Sequence, residues 1–299
     1  MSASSGKKED PSLREITRYT DAAFPVEIFH GDRRALTPPG RWLKDFHWHE
    51  ELQITMAVSG TVRVQAGSAS FELKTGEALF INSGVIHAVT STSHDGAYES
   101  LNFSPRILSF FPGSRMEQND VLPFISSGRT TALFLSADGG AGRVLELFSS
   151  VSENLASPGT SHSEYRTCIL LATLWYNLLD LLAAGEKGAA GSLIREKRLQ
   201  HMLSFINENY MNDISLADIA GAANISISEC CRIFRSVLGT APHAYLTNYR
   251  IQQSVNLLAG DRTIDEIAGM SGFNQTSNYI AGFKKIIGET PARYRKRKT

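Results

Sequence analysis

The stretch from Leu216 to Tyr245, LADIAGAANISISECCRIFRSVLGTAPHAY, decides the fold of the C-terminal part of this chain. It recurs with changes from Ile264 to Tyr294 as IDEIAGMSGFNQTSNYIAGFKKIIGETPARY. The two copies align at an offset of 48 residues up to Ile225 and at an offset of 49 from Phe234 onward. Self-similarity of this kind indicates that one supersecondary unit occurs twice.

Each copy predicts a short amphipathic helix, a tight break and a longer helix that ends at a glycine, which is a helix-turn-helix unit. Ser215 and Thr263 can cap the short helices, while Gly239 and Gly288 suit the stops of the long ones. A connecting helix, Pro242–Ala259, would fix the spacing of the two units, so that both second helices could enter successive major-groove faces of one duplex. The predicted segments are Leu216–Ala222, Ala223–Ser226 and Ile227–Leu238, then Ile264–Met270, Ser271–Asn274 and Gln275–Ile287.

Charge is divided unevenly along the chain. The whole protein has 30 Lys and Arg against 30 Asp and Glu. Residues 193–299, however, hold 14 basic and 9 acidic residues and close on RYRKRK (Arg293–Lys298). A basic half indicates a polyanionic partner. With the duplication, it favours DNA binding over a helical bundle without DNA, and an architectural binder without sequence preference stays open as an alternative.

The duplicated segment resembles the DNA-binding domain of the AraC/XylS family of bacterial transcription regulators. The family usually has an arginine two residues before the phenylalanine of the second recognition helix, and this chain has Ala281 there. The equivalent position in the first unit is Arg232. The matching residues are Ile264, Ile267, Ala268, Gly272, Phe273, Phe283, Lys284, Lys285, Gly288, Thr290, Pro291, Tyr294 and Arg295, with Gly239, Pro242, Tyr245 and Arg250 after the first unit.

Residue chemistry suggests a role for each candidate DNA contact. Arg232 can donate two hydrogen bonds to guanine O6 and N7, and Cys231 could contact a thymine methyl group. Arg235, Lys284 and Lys285 are expected at phosphates, although a solvated face is nearly as good an interpretation of the two lysines. The predicted DNA-binding set is Ser226, Ser228, Cys231, Arg232, Arg235, Thr276, Ser277, Ala281, Lys284 and Lys285.

Residues 24–104 predict a sandwich or small barrel, because short runs rich in Val, Ile, Phe and Thr are broken by turn residues. Residues 105–140 have an irregular pattern, and helices are predicted at Ala141–Leu155 and Glu164–Ala184. The Gly-rich stretch Ala183–Ser192 predicts a domain boundary. The predicted strand segments are Leu52–Gly60, Thr61–Gly67, Ser70–Asn82 and Ala97–Phe103.

Two segments, HWHEELQ (His47–Gln53) and GEALFINSGVIH (Gly76–His87), resemble the two cupin motifs, which supply three His and one Glu to a metal. AraC-type regulators commonly carry a cupin-like sensor domain in this place. His47, His49 and Gln53 share one strand face at period 2, and His87 joins them through the second motif. Gln53 stands at the Glu position and removes the anionic ligand. We therefore expect these four residues to bind a small-molecule effector, with no metal, other cofactor or catalytic residue.

Two features of the N-terminal part each allow two interpretations from the sequence. The alternating strand around Gln53 also fits a half-buried strand whose polar side faces water. The helix Glu164–Ala184 is either a dimer seam or packs on its own cupin domain. Its leucines are Leu170, Leu171, Leu174, Leu178 and Leu182. Because the stretch Cys168–Ala184 is short and contains Asn177 and Asp180, we do not expect it to span a membrane.

The expected fold class is α+β: an N-terminal cupin-like β-barrel or sandwich with two following helices, then an all-α domain of two helix-turn-helix units joined by a long helix. The domains would be a flexible arm (1–20), an effector-binding and dimerisation domain (21–185), a linker (186–196) and the DNA-binding domain (197–299). The three cysteines and the polar N-terminus fit a cytoplasmic protein. Expected partners are double-stranded DNA, a small-molecule effector, a second copy and RNA polymerase, with no membrane. The alternative is a metal-dependent cupin enzyme with an accessory helical domain.

Overall fold

The structure is a computed structural model that describes residues 13–34 apart from 16, 18 and 22, and residues 46–126, 130–157, 161–185, 192–258 and 260–298. The described residues form two compact units that divide between Glu196 and Lys197. Most of the predicted arm and residues 186–191 of the predicted linker lie outside the described residues. Residues 192–196, at the end of that linker, already belong to a helix.

The first unit is built from two antiparallel sheets. The larger has the strand order β1-β7-β2-β5-β8, and the smaller has the order β4-β3-β6. The predicted run Ser70–Asn82 is two strands, and the region predicted to be irregular contains β8, which pairs with β5. The strands are β1 Val26–Asp32, β2 Leu52–Ser59, β3 Thr61–Ala66, β4 Ala69–Lys74, β5 Ala78–Ile81, β6 His87–Thr92, β7 Ala97–Phe103 and β8 Ala132–Leu135.

Both faces of β2 are buried. Leu52, Ile54 and Met56 belong to the core that the helices of this unit cover, while Ala57 belongs to a second core with residues of β3 and β4. Gln53, on the Ala57 face, is only 4% exposed. The interpretation that the polar side of this strand faces water is therefore wrong, because the smaller sheet closes over it.

Three helices follow in the first unit: α1 Leu122–Ser126, α2 Gly142–Leu155 and α3 Ser163–Gly185. The last two confirm the predicted helices to within one residue at each end. Leu171, Leu174, Leu178 and Leu182 of α3 are fully or almost fully buried in the core that contains β2 and β5. The prediction of a dimer seam along these leucines is wrong, and they pack within their own unit.

One described helix, the segment Ser163–Ala184 of α3, is long and apolar enough to cross a membrane by length and composition, with a mean hydropathy of 1.6. The core helix of a globular domain meets the same criterion. Four leucines of α3 lie in the interior of the first unit, as in a core helix, and 33% of the apolar window is buried.

The second unit is helical and confirms the predicted duplication. The side chains of Ser215 and Thr263 each accept a hydrogen bond from the backbone N–H three residues later. In return, the carboxylates of Asp218 and Glu266 accept from the backbone N–H groups of Ser215 and Thr263, which completes a capping box at each helix. Gly239 ends its helix in the left-handed region at φ 63, as a stop position requires. The helices are α4 Ser192–Asn209, α5 Leu216–Gly221, α6 Ile227–Leu238, α7 Pro242–Leu257, α8 Ile264–Met270, α9 Thr276–Ile287 and α10 Pro291–Lys298.

The connecting helix α7 packs against both helix-turn-helix units. Tyr245 meets Phe234 of α6, with the ring centroids 5.7 Å apart. Ile251 shares a core with Phe283 of α9. Arg250 donates to the carbonyl oxygens of Tyr210 (2.8 Å) and Asn212 (2.7 Å). The long helix therefore carries the two units on one apolar framework.

Candidate functional sites

The second helix of the first unit, α6, presents a polar face to solvent. Ser228, Arg232 and Arg235 are exposed and share one side of the helix by their spacing, while Cys231 is half-buried at its edge. Ser226, the exposed N-cap of α6, accepts a hydrogen bond from the Glu229 N–H at 3.2 Å. The structure thus brings the predicted residues of the first unit to one surface, with only Cys231 partly withdrawn.

Glu229 is a contact of Arg232 that sequence reasoning missed. Its Oε2 accepts from Arg232 Nε at 2.8 Å, and its Oε1 lies 3.8 Å from Arg198 Nη1. The side chain of Arg232 is nevertheless 73% exposed. Because an exposed pair of this kind is worth about 1 kcal/mol or less, a guanine edge can compete with Glu229 for the guanidinium.

The second helix of the second unit, α9, presents a different surface. Ser277, Ala281, Lys284 and Lys285 are exposed, so this face has a methyl group where α6 has Arg232. Thr276, at the start of α9, is half-buried and donates to the Asp265 carboxylate of the helix before it. The two lysines stand at the C-terminal end of α9, where they also suit the helix dipole.

A second group of polar side chains is buried inside the β-domain. His49 is 2%, Gln53 4% and His87 1% exposed, and His47 is half-buried beside them. His47 and His87 exchange main-chain hydrogen bonds, His47 N–H to His87 O at 3.0 Å and the reverse at 2.8 Å. Their ring centroids lie 4.2 Å apart, and those of His49 and His87 lie 5.0 Å apart. All four predicted effector residues therefore meet at one place.

Main-chain oxygens direct the histidine lone pairs. The Val85 carbonyl oxygen lies 2.8 Å from His87 Nδ1 and can only accept, so this nitrogen carries the hydrogen. In the neutral ring the lone pair is then on Nε2, which lies 3.0 Å from Gln53 Oε1, and because both atoms are acceptors this contact is not a hydrogen bond in that tautomer. The Glu51 carbonyl oxygen, 3.2 Å from His49 Nδ1, has the same effect on His49, whose Nε2 lies 2.9 Å from Gln53 Oε1. In these tautomers the two Nε2 lone pairs and the Gln53 amide oxygen face one another, three acceptors that share no hydrogen among themselves.

The strand partners extend this cluster with residues that the sequence did not single out. Gln53 Nε2 donates to Thr55 Oγ1 at 2.8 Å, and the Thr55 and Ser100 hydroxyls lie 2.9 Å apart. Asn102 Nδ2 lies 3.3 Å from His49 Nε2, and Asn102 Oδ1 is buried without a hydrogen-bond partner. An unpaired buried acceptor is costly, so it marks a place where a ligand donor would be favourable.

The cluster fits a metal ion by donor type and spacing. One ligand atom from each of His47, His49 and His87 lies within 4.8 Å of the others, and imidazole suits zinc, nickel and copper. The fourth donor at the same place is the neutral amide of Gln53. The nearby carboxylate of Glu51 lies 3.5 Å from the outer nitrogen of His49 instead. The inner donor set is therefore uncharged, which weakens its affinity for a divalent cation.

The same cluster connects to the segment before β1 through Glu51. Tyr19 donates to Glu51 Oε1 at 2.7 Å. Burial, followed by this hydrogen bond, raises the pKa of Tyr19 far above its ordinary value, so the phenol stays protonated at neutral pH. The rim of the polar cluster thus keeps a fixed hydrogen-bond pattern.

Comparison with known proteins matches both units. A family model described as a helix-turn-helix domain covers residues 219–297, and a cupin domain model covers residues 34–99. The chain is 30% identical over 290 residues to the uncharacterized HTH-type transcriptional regulator YdeC of Bacillus subtilis (strain 168), spanning 96% of this chain and 97% of that protein. It is 25% identical over 271 residues to the HTH-type transcriptional regulator MtrA of Neisseria gonorrhoeae, spanning 83% and 88%.

Among solved structures, fatty-acid-bound ToxT from Vibrio cholerae strain SCE256 aligns over 93% of this chain and 97% of its own, with 15% identity and a TM-score of 0.42. A cupin-like unit followed by two helix-turn-helix units with exposed second helices defines a DNA-binding transcription regulator. The chain belongs to the AraC/XylS family of such regulators, as the two domain matches and the full-length relative show.

Proposed function

We propose that this AraC-type regulator binds a specific DNA sequence through α6 and α9 and is controlled by a small molecule held at the His47–His49–Gln53–His87 cluster. The observation that carries the second part is that the Nε2 atoms of His49 and His87 both face the Gln53 amide oxygen in a buried space, which leaves three acceptors together without a donor among them. These acceptors favour a ligand whose hydroxyl, ammonium or protonated carboxyl group can donate hydrogen bonds to both rings.

On the DNA side, we assign base reading chiefly to Arg232, with support from Ser228 and Cys231. Arg235, Lys284 and Lys285 are assigned to phosphates. Thr276 and Ser277 start α9 and reach base edges or phosphate, and Ser226 does the same at the start of α6. Ala281 leaves the second helix with little hydrogen-bonding capacity in its middle, so the first unit carries most of the base specificity.

The regulator would act in the cytoplasm as a homodimer, with RNA polymerase as its partner in transcription. Two copies double the number of DNA contacts and match repeated half-sites. An effector changes DNA binding only if it has different affinities for two arrangements of the protein.

Selection of bound duplexes from a random library tests the DNA part of the proposal. The full chain should enrich one sequence and bind it roughly a thousandfold or more above a shuffled duplex at moderate salt. A salt series on both duplexes separates this from a purely electrostatic binder, which shows the same affinity for each. Equal affinity at every salt concentration would contradict sequence-specific regulation.

Binding of small probes tests the effector site. Thermal unfolding of the wild-type chain and of His49→Ala is compared with sugars, short carboxylic acids, amines, and the chlorides of zinc, nickel and manganese. An organic probe that stabilises the wild type, and loses this effect in His49→Ala, supports an effector in the cluster. Arg143→Ala, on the exposed face of α2, is the control variant that should respond like the wild type.

A metal-dependent cupin enzyme is the second candidate function, favoured by the three converging histidines. When bound, the metal would act as a Lewis acid, and His47, His49 and His87 would hold it. Metal analysis of the purified chain decides between the two candidates. Stoichiometric iron, manganese or zinc that His49→Ala removes supports the enzyme, and a metal-free chain that binds its DNA supports the effector site.

A further inference from the structure

The first recognition helix, α6, has the sequence of a capping box without both of its hydrogen bonds. Ser226 and Glu229 occupy the N-cap and third helical positions, as Ser215 and Asp218 do in α5. In α5 the carboxylate accepts from the N-cap N–H, whereas no such bond is present among the described residues of α6. A carboxylate at this position usually serves the cap of its own helix. The carboxylate of Glu229 therefore has a different use.

The Glu229 carboxylate lies between two arginines. Its Oε2 accepts from Arg232 Nε at 2.8 Å and also from Arg232 Nη2. Its Oε1 lies 3.8 Å from Arg198 Nη1 on α4. The Glu229 side chain is 19% exposed, and that of Arg198 is 39% exposed. Because each carboxylate oxygen faces a guanidinium, the charge of Glu229 has a defined place beside the exposed face of α6.

The contact with Glu229 uses only one edge of the Arg232 guanidinium. A guanidinium has five N–H groups in a planar fork, and this edge contains Nε–H and one Nη2–H. The other edge, formed by Nη1 and the second Nη2–H, has no hydrogen-bond partner among the described residues, and the side chain is 73% exposed. This end edge has the two parallel donors that guanine O6 and N7 accept. Guanine therefore need not displace Glu229.

A long arginine side chain on a recognition helix has a second class of partner on DNA. Phosphate oxygens flank the major groove and accept from arginine without regard to sequence. Glu229 opposes that choice in two ways. Its hydrogen bonds fix the direction of the Arg232 guanidinium before the complex forms, which lowers the entropy cost of the base contact. Its negative charge is also unfavourable beside a phosphate.

The second recognition helix lacks both members of this pair. Asn278 and Ala281 of α9 stand at the positions equivalent to Glu229 and Arg232. The capping boxes of α5 and α8, by contrast, are present in both units. The carboxylates that serve a helix are thus found in both copies, and the one beside Arg232 is found only where the arginine is.

We propose that Glu229 is a positioning residue that determines base specificity. It holds Arg232 by one edge, so that the other edge of the guanidinium meets guanine and not a phosphate. The inference rests on the proposed assignment of Arg232 to a base. Arg198 supports the carboxylate from α4 and balances its charge. The preference at one base pair thus depends on a buttress behind the residue that touches the base.

Glu229→Gln in the full chain tests this role, because it removes the charge and keeps the shape of the side chain. Fluorescence anisotropy over a salt series compares the selected duplex, the same duplex with the G·C pair read by Arg232 changed to A·T, and a shuffled duplex. The guanine preference should fall by roughly fivefold or more. Affinity for the shuffled duplex should rise by roughly twofold, and its salt slope should steepen by about one, because Arg232 gains a phosphate contact.

The control variant is Glu208→Gln, which removes an exposed carboxylate near the C-terminal end of α4 and should leave the guanine preference unchanged. Circular dichroism and urea unfolding show that each variant is folded. A carboxylate that only stabilises α6 would lower the urea midpoint of Glu229→Gln and leave the guanine preference and the salt slope as in the wild type. That result would overturn the proposal.

The double variant Glu229→Gln/Arg232→Ala separates the inference from its basis. Its guanine preference should equal that of Arg232→Ala alone, because the carboxylate acts through the arginine. A further loss in the double variant would mean that Glu229 contacts a base itself, against the positioning role. Loss of preference in Arg232→Ala but not in Glu229→Gln would leave base reading by Arg232 standing without the buttress. Wild-type preference in Arg232→Ala would remove the assignment and, with it, the role of Glu229.

Discussion

The two helix-turn-helix units differ in the residue that turns the chain between their helices. Asn224 in the first unit and Gly272 in the second occupy equivalent places, and both have positive φ, 54 and 82. The first turn is open enough for an asparagine. In the second, a Cβ at position 272 would lie against the Tyr210 carbonyl oxygen and 2.8 Å from Arg250 Nε. One fold thus accepts two residue types, and the surrounding helices decide which.

Their recognition helices also differ in chemistry. α6 has Glu229 and Arg232 as an ion pair on its exposed face, whereas the equivalent positions of α9 are Asn278 and Ala281. We propose that the first unit reads bases and that the second holds the DNA backbone with Lys284 and Lys285. Duplication therefore preserved the framework while the surfaces diverged, because core positions tolerate fewer residue types than exposed ones.

The largest expected effect comes from the second turn. Gly272→Ala should lower the free energy of unfolding by about 2–4 kcal/mol, because positive φ and the close Tyr210 carbonyl act together. Asn224→Gly should change it by less than about 1 kcal/mol. Urea unfolding followed by helical circular dichroism measures both. Gly269→Ala is the control, since an added Cβ meets no atom within 4 Å. Equal effects at 224 and 272 would remove the distinction between the turns.

The next effect concerns base reading. Arg232→Ala should weaken binding to the selected duplex by roughly 1–3 kcal/mol and relax the preference at one base pair, because two hydrogen bonds to guanine are lost. Arg235→Ala should weaken binding to all duplexes alike, as a phosphate contact does. Fluorescence anisotropy with single-base-pair variants of the duplex measures both. Unchanged affinity of Arg232→Ala would refute the assignment.

The two capping boxes should behave alike. Ser215→Ala and Thr263→Ala should each reduce stability by about 1 kcal/mol, because each leaves helical N–H groups without their side-chain acceptor. Hydrogen bonds with Ser215 lower the pKa of Asp218, and those with Thr263 lower the pKa of Glu266. A carboxyl group with a lowered pKa stabilises the folded state at pH values above its pKa in the unfolded chain, which is about 4. This stabilisation is lost as the pH falls through the lowered pKa of the folded state.

Comparison of the wild type with Asp218→Asn and Glu266→Gln checks that pH dependence. The difference in urea midpoint should be present at neutral pH and disappear in acid, in the same range for both boxes. A difference that persists in acid would show that charge is not its origin, and a large disparity between the boxes would show that only one of them caps its helix in solution.

The smallest expected effect is a gain of base preference in the second unit. Ala281→Arg places a guanidinium where α6 has Arg232 and should add a preference for guanine at one further base pair. We expect at most about a tenfold rise in affinity for the matching duplexes, since Asn278 replaces the positioning carboxylate of Glu229. Selection from a random library detects the new preference. An unchanged selected sequence would mean that α9 does not face bases there.

Helix positions in the second unit were predictable from the sequence because their signals are local. Gly239 and Pro242 mark stops and starts within a few residues, and Ser215 and Thr263 cap the helices they precede. The duplication supplied a second, independent copy of each signal. What stayed hidden was the contact of Glu229 with Arg232, although the spacing of three residues on one helix could have indicated it.

The polar cluster was predictable only in part. The motif resemblance brought together His47, His49, Gln53 and His87, although His87 lies 34 residues after Gln53 in the sequence. Ser100 and Asn102 entered through the pairing of β7 with β2, which places Asn102 opposite Gln53. Strand pairing over such a distance has no local signature, so these partners could not be read from the chain.

The sequence by itself determined the paired helical units and their caps, since each depends on neighbours within a turn or two of helix. Only the tertiary structure decided which side of β2 and which side of α3 face inward. Periodicity gives two faces to a strand or helix, and the choice between them depends on what packs there. That choice buried Gln53 and the α3 leucines and left Tyr165, Ile169 and Tyr176 outside.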